Sequence, residues 1–409
     1  MTAQELLNFL YINNVSIDVD GEDLLIDAPE DFLDERLIEL LGEHKLSILN
    51  MLRRFNKTTY TPDLSKHDFI APYSCATTLA QDRILFLEEI AGNNSYYNIP
   101  FAYKISGAID TPALKKSFIL LIKNHEILRT TYIKSDIDYI QLVNREKDID
   151  IDETDISYFD NKETKALELL EKDANHKFLL ETEWPIKVRI IKLSITESII
   201  SINVHHIAAD GLSAKKLIND INQAYNWFIN PSTEENFPNL GSNYQYSDYA
   251  IWQKKWLESQ DYIESKNYWI NTLKGAPHLH SIPTDFLRPS NQSITGDFYS
   301  NELPLSLGTG LVVAAQHNKT TPFVIFQAAF AALLSRYSSE KDILFGIASA
   351  NRYPTAFINN IGLFVNTLAL RYQLSNDLTF SALLAQAVEI NNDALKHQSF
   401  PFEIGRAHV

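Results

Sequence analysis

The residues best placed to do chemistry are His205, His206 and Asp210, which fall within the run H-H-I-A-A-D-G at 205–211. An imidazole changes protonation near neutral pH, so it can hydrogen-bond a reacting group or take its proton. An Asp four residues on either orients that ring or holds the turn by pairing with a cation. Gly211 is expected to supply a backbone conformation closed to other residues. Two His and an Asp are also a possible metal-ligand set. A second pair, His278 and His280, is a weaker candidate, because Gly275 and Pro277 place it in a surface loop. No serine nucleophile elbow, P-loop or dinucleotide fingerprint is present in the sequence. The chemistry at 205–211 is therefore expected to need neither a covalent enzyme intermediate nor a cofactor bound by this chain.

The flanking pattern positions these residues at a strand-to-helix junction. Apolar runs predict strands at Ile186–Lys192 and Ile199–Val204, joined by a turn at Thr196, Glu197 and Ser198. Leu217, Ile218, Ile221, Ala224, Tyr225 and Phe228 then recur at helical spacing. Such a junction lets side chains project from the rigid end of a strand. Elsewhere a helix is predicted over Thr111–Asn124, with Thr111 as N-cap and Pro112 at the first helical position. Another helix covers Pro322–Tyr337 and a strand follows at Ile343–Ala348. The chain is mixed α/β.

Residues 1–55 read as a small unit of their own, joined by a polar linker at 56–67. Leu6, Leu7, Leu10 and Tyr11 mark a helix, Val15 to Ile26 a hairpin turning at Asp20-Gly21. Two further helical patterns follow, Leu33, Leu37, Leu40, Leu41 and then Ile48, Leu49, Leu52. A unit this small buries a marginal core, which favours binding over catalysis. The 409 residues suggest two or three domains in all. A net charge of -16 argues against nucleic acid and against an anionic membrane surface. The single cysteine, Cys75, excludes an internal disulfide framework and any multi-cysteine metal site. With no signal peptide or membrane-length apolar run, the expected location is the cytoplasm.

The segment V-H-H-I-A-A-D-G-L-S resembles the core motif of nonribosomal peptide synthetase condensation domains, relatives of chloramphenicol acetyltransferase. Five other segments stand in the family's order. T-L-A-Q-D-R-I-L-F-L (78–87) is similar to the opening motif, with Thr78 where Ser is usual, and carries Gln81 and Arg83. N-H-E-I-L-R-T (124–130) carries Arg129, with Asn124 in place of the usual Arg. Y-S-D-Y-A-I-W (246–252) carries Trp252. I-G-L-F-V-N-T-L-A-L-R (361–371) and H-Q-S-F-P-F-E (397–403) complete the series, the last with Ser399 for Asp.

The resemblance covers about residues 68–403. It implies two acetyltransferase-like lobes in a V, an N-lobe at 68–240 and a C-lobe at 241–403, with a tunnel between them. Donor and acceptor would each arrive as a thioester on the phosphopantetheine arm of a carrier protein. The acceptor's α-amine would attack the donor's carbonyl beside His206. The family pattern pairs Asp210 with Arg352, and with Asn124 present this chain would rely on Arg352 alone. It makes Asn366 a tunnel-lining residue, for which a turn-capping amide is the equal alternative. Trp252 and Arg129 are expected to be structural.

The His pair argues against a heterocyclising relative, and Y-Y-N-I-P-F (96–101) with A-Q-D-R resembles the subtype accepting an L-configured donor. Residues 1–55 are similar to N-terminal docking domains of α-β-β-α-α arrangement. That likeness implies strand addition at the hairpin residues Val15, Ile17, Val19, Leu24 and Ile26. The added strand would come from a separate upstream subunit, the one with the donor carrier protein. Asp18, Asp20, Glu22 and Asp23 would select a basic partner. Adenylation and carrier domains are expected downstream. Residues 404–409 (I-G-R-A-H-V) match what a sequencing adapter encodes and are expected to be non-native, leaving the C-lobe cut short and the fragment's own activity in question. Two other readings stay open: an ester-forming or starter-loading acyltransferase of the same fold, and a docking scaffold without catalysis.

Overall fold

The structure, a computed structural model, describes residues 6, 10, 15–20, 23–28, 32–57, 64, 66, 67, 69–92, 94–135, 138–147, 149, 151–230, 237, 238, 240–287 and 299–402. The expected non-native tail lies outside these residues. Two compact units are present. One comprises Met1–Thr61, Thr272–Phe345 and Leu370–Asp393, the other Pro62–Asn271, Gly346–Ala369 and Ala394–Val409.

In the first unit, β1 (Ser16–Asp20) and β2 (Asp23–Asp27) pair antiparallel, Val19 opposite Leu24. A helix α1 (Glu35–Lys57) follows, capped where Asp34 accepts the Leu37 amide at 2.7 Å. The two helical patterns of the sequence thus run as one helix. Leu37, Leu41 and Ile48 hold a single buried face through Gly42, whose cost of about 1 kcal/mol does not break it. Leu6, Leu10 and Val15 complete this core, with Ile17, Leu24 and Ile26 packed against it.

The second unit opens with β3 (Tyr73–Ala76), α2 (Leu79–Ala91), β4 (Asn98–Ser106) and α3 (Thr111–Asn124). The cap of α3 is Asp110 rather than Thr111: its carboxylate accepts the Ala113 amide at 2.8 Å, and Thr111 is the first helical residue. Next come β5 (Thr130–Lys134), β6 (Tyr139–Val143), β7 (Asp152–Asp155), α4 (Lys162–Ala174), β8 (Ile186–Lys192), β9 (Glu197–His205) and α5 (Gly211–Ile229). Glu197 and Ser198 already belong to β9, so the turn expected at 196–198 falls two residues earlier. One sheet runs β4-β9-β8-β7, with only β7 and β8 parallel; a second runs β3-β6-β5. Then follow α6 (Tyr246–Trp256) and α7 (Gln260–Leu273).

The first unit resumes with α8 (Leu305–His317), α9 (Pro322–Ser338) and the start of β10 (Asp342–Ser349). It ends with the close of β11 (Asn366–Gln373) and α10 (Phe380–Lys396). His280 does not lie free in a loop. Its Nδ1 meets Glu340 at 2.6 Å and its Nε2 lies against the backbone of Leu344, which clips the segment to β10. No described helix is long and apolar enough to cross a membrane.

One buried polar cluster locks α3 to α5. His125, just past α3, sits 2.7 Å from Asp220, which also takes Lys216 at 2.5 Å. Burial lowers the His125 pKa, against the pull of Asp220, and Lys216 adds to the lowering. The fold thus accepts the neutral ring, while the unfolded chain's His takes a proton below about 6.5. The resulting stability is present above that pH and lost as pH falls through the lowered folded value. Wild-type chain should therefore lose stability more steeply than His125→Gln as pH drops below 6.5, read from denaturant midpoints; parallel curves would refute this.

Candidate active site

The site is built where β9 ends. Asn98 opposes His205 in the ladder, and the His206 amide extends the pairing by donating to Tyr97 O at 2.7 Å. His205 is fully buried, edge-on to the Phe178 ring. Its Nδ1 accepts the Ile207 amide at 3.2 Å, so Nε2 carries the proton and donates to Glu88 Oε1 at 2.8 Å. Both ring nitrogens are engaged. The sequence pattern groups His205 with the reacting residues, yet this ring has no nitrogen left for a substrate. The neighbouring His206 differs: it is half-buried, and its buried Nδ1 has no hydrogen-bond partner among the described residues.

Asp210 is the N-cap of α5 and is 2% exposed. Its Oδ1 accepts the Ser213 amide at 3.0 Å and lies 2.8 Å from the Ser213 hydroxyl. Arg352 donates to both oxygens, Nη2 to Oδ1 at 2.7 Å and Nη1 to Oδ2 at 3.1 Å. The Phe364 amide donates to Oδ2 at 3.1 Å, while the Phe364 ring lies 4.1 Å beneath the guanidinium. This bidentate pair, with backbone donors filling the remaining lone pairs, is the arrangement that makes a buried carboxylate tolerable. With Asp210 so occupied and His205 saturated, the three residues are not arranged as metal ligands.

Gly211 departs from expectation. It is the first residue of α5 without a positive φ, and a Cβ there would meet nothing within 4 Å. The glycine that the site cannot replace is Gly362. A Cβ on it would lie 2.1 Å from the Tyr246 ring. That close approach lets Gly362 N donate to Ser213 Oγ at 3.1 Å, and Tyr246 OH donate to Leu363 O at 2.7 Å. Tyr246 OH also lies 3.0 Å from the Thr78 hydroxyl, so the loop at 362–364 is tied to the start of α2.

The other sequence candidates are placed as follows. Thr78 and Gln81 form a capping box at α2, and Gln81 donates to Tyr132 OH at 3.1 Å. Arg83 is exposed on α2. Arg129 is buried and donates to Ile122 O and Lys123 O at the end of α3, and to Asn144 O. Trp252 is buried in a stack between Tyr249 and Trp256. Asn124 donates to Leu120 O of its own helix at 2.8 Å. Asn366 is a brace: its amide nitrogen donates to Gln398 O and Phe400 O, both at 2.7 Å, and its oxygen accepts the Phe402 amide. It borders a small cavity with Leu79, Gln253 and Asn351, but all its hydrogen-bonding capacity goes to backbone. Burial pushes the Cys75 thiol up to about 12, which disfavours the nucleophilic thiolate. Sequence reasoning missed Glu88, Ser213, Gly362 and the His125–Asp220 pair. Ser213, Gly362 and His125 lay inside the quoted motifs without being singled out, and Glu88 left a different signal, a charge continuing the Gln81, Ile84, Leu85 face of α2 that the structure buries.

The profile of the family described as Condensation domain matches residues 74–406. Tyrocidine synthase 3 of Brevibacillus parabrevis is 32% identical over 350 residues, covering 85% of this chain and 5% of that protein. The chain thus spans less than a tenth of that relative's length. Among solved structures, the first condensation domain of the calcium-dependent antibiotic synthetase with a substrate analogue superposes with a TM-score of 0.71. It is 17% identical over 82% of this chain and 78% of that one. The cyclization-docking bidomain of the EpoB synthetase from Sorangium cellulosum gives 0.68 at 21% identity, over 99% and 80%. At such identities these two establish the fold.

Arg352→Met removes one partner of a buried pair and is expected to cost about 3–5 kcal/mol. In an Asp210→Asn background the same change should cost clearly less, because the charge it strands is gone. Denaturant unfolding of the four proteins checks this; additive losses would mean the two residues do not act as a pair.

Proposed function

This chain belongs to the condensation-domain family of nonribosomal peptide synthetases, and on that premise we propose that it joins two carrier-bound substrates through an amide bond. Condensation domains are acyltransferase-type, amide-forming catalysts. In the proposed reaction the α-amine of an aminoacyl acceptor attacks the thioester carbonyl of an acyl or peptidyl donor. The C–N bond forms, the C–S bond breaks, and the proton lost by nitrogen ends on the departing sulfur. The chain itself supplies no cofactor; each substrate rides on the phosphopantetheine of a carrier protein. The likeness of residues 96–101 to one subtype extends the reading to an L-configured donor.

One observation carries it: of the motif's paired imidazoles only His206 keeps a ring nitrogen unengaged. A free α-amine titrates at about 8, so a useful fraction is neutral without a strong base. His206 is accordingly assigned to orienting the amine and stabilising the charge that develops as nitrogen attacks. Asp210 and Arg352 hold the turn beneath it, and Asn366 holds the 398–402 segment. His206→Ala should lower amide formation between two loaded carriers by roughly 100-fold or more, with carrier binding retained. An unchanged rate would remove His206 from the reaction.

We further propose that residues 1–55 are a docking unit, joined through 56–67 to lobes at 68–240 and 241–403. It would receive a separate upstream polypeptide that holds the donor carrier. The docking element named in the Sorangium cellulosum bidomain, similar over 99% of this chain, supports this. Because Val15, Ile17, Leu24 and Ile26 pack into the unit's own core, the partner would be taken by the backbone edge of the hairpin. Val19 lies in β1 and its side chain is outside the described residues. Asp23 already pairs with Lys45 at 2.5 Å, so the basic partner is proposed for Asp18, Asp20 and Glu22, whose side chains lie outside the described residues. Raising salt from about 0.05 to about 0.5 M should weaken docking several-fold; a salt-independent affinity would rule out the electrostatic part.

A further inference from the structure

We propose that Glu88 is a positioning residue for the chemistry at His206, acting through His205. The inference rests on the amide-forming role proposed above. Glu88 ends the buried face of α2 and keeps only 15% of its side chain exposed, with Oε1 2.8 Å from His205 Nε2. A carboxylate accepts and does not donate when ionised, so this contact fixes the proton on Nε2. Nδ1 is thereby an acceptor, and it is Nδ1 that receives the Ile207 amide. The opposite tautomer would set an N–H against that amide. The peptide between His206 and Ile207 therefore takes its orientation from a proton that Glu88 holds. The turn closes with Ala208 N donating to His205 O at 2.9 Å, and His206 N reaching Tyr97 O. Packing alone does not explain the carboxylate: an apolar residue would fill the same place against the His205 ring without offering Nε2 an acceptor.

Two measurements on the full chain test this. Long-range proton–nitrogen correlation spectra of the histidine rings should show His205 protonated at Nε2 alone. Glu88→Gln, whose amide oxygen still accepts, should keep that signature; Glu88→Ala should lose it. In the two-carrier assay Glu88→Ala should lower kcat at least 10-fold with KM for either carrier within about threefold, and Glu88→Gln should recover most of kcat. If the alanine variant fails to fold, Glu88→Met, which fills the volume without an acceptor, gives the same two readouts. A single Nε2 tautomer in the Ala or Met variant, or kcat within twofold of wild type, would overturn the assignment. A wild-type chain that forms no amide would instead refute the proposed reaction, and the tautomer spectra would then decide the Glu88 assignment by themselves.

Discussion

A carboxylate removed from water has to be met by donors on every side, and that requirement at Asp210 organises the second unit. Leaving such a charge unpaired costs several kcal/mol, so its partners cannot be optional. They come from three places in the chain: Ser213 one turn into α5, Arg352 after β10, and the Phe364 amide before β11. Bringing the last of these close enough demands Gly362, because the Tyr246 ring occupies the space a side chain would need. Tyr246 in turn reaches Thr78 at the cap of α2. The helix that presents Glu88 to His205 is thereby anchored to the loop that satisfies Asp210. The α5 cap, the Phe364 ring beneath the guanidinium and the close glycine all meet at one buried charge.

Two adjacent residues of one type have opposite surroundings here for a geometric reason. His205, the last residue of β9, turns toward Glu88 on α2 and the Phe178 ring, whereas His206 is already the first residue of the turn that follows the strand. The first ring is held at both nitrogens and the second is not. Doubling the histidine where the strand ends thus gives one ring bonded at both nitrogens and one whose Nδ1 has no partner among the described residues.

Much of this was legible in the sequence because it follows local periodicity. The alternation of β8 and β9, the α3 pattern and the junction at 205–211 depend on neighbours within a few residues, and the structure has them nearly where the spacing predicts. What local pattern could not show were choices made by distant partners. Whether Asp110 or Thr111 caps α3 turns on which oxygen reaches the Ala113 amide. The need for glycine at 362 rather than at 211 is set by a tyrosine over a hundred residues away. The roles of Asn366 and His280 depend on backbone that packs beside them only in the folded chain. In α1 the pattern divides what the fold joins: two runs of apolar residues read as separate helices, and one helix carries both.

The separation of Asp210 from its counter-ion also sets an order of events during synthesis. Arg352 lies 142 residues after Asp210, and ribosomes add roughly 5–20 residues per second. For about 7–28 s, then, each nascent chain carries β9 and the start of α5 without the cation that makes the buried carboxylate acceptable. During that window the aspartate has reason to stay hydrated, and α5 to remain undocked at its first turn. The histidine turn would therefore be among the last parts of the second unit to become fixed, although its residues emerge well before Arg352.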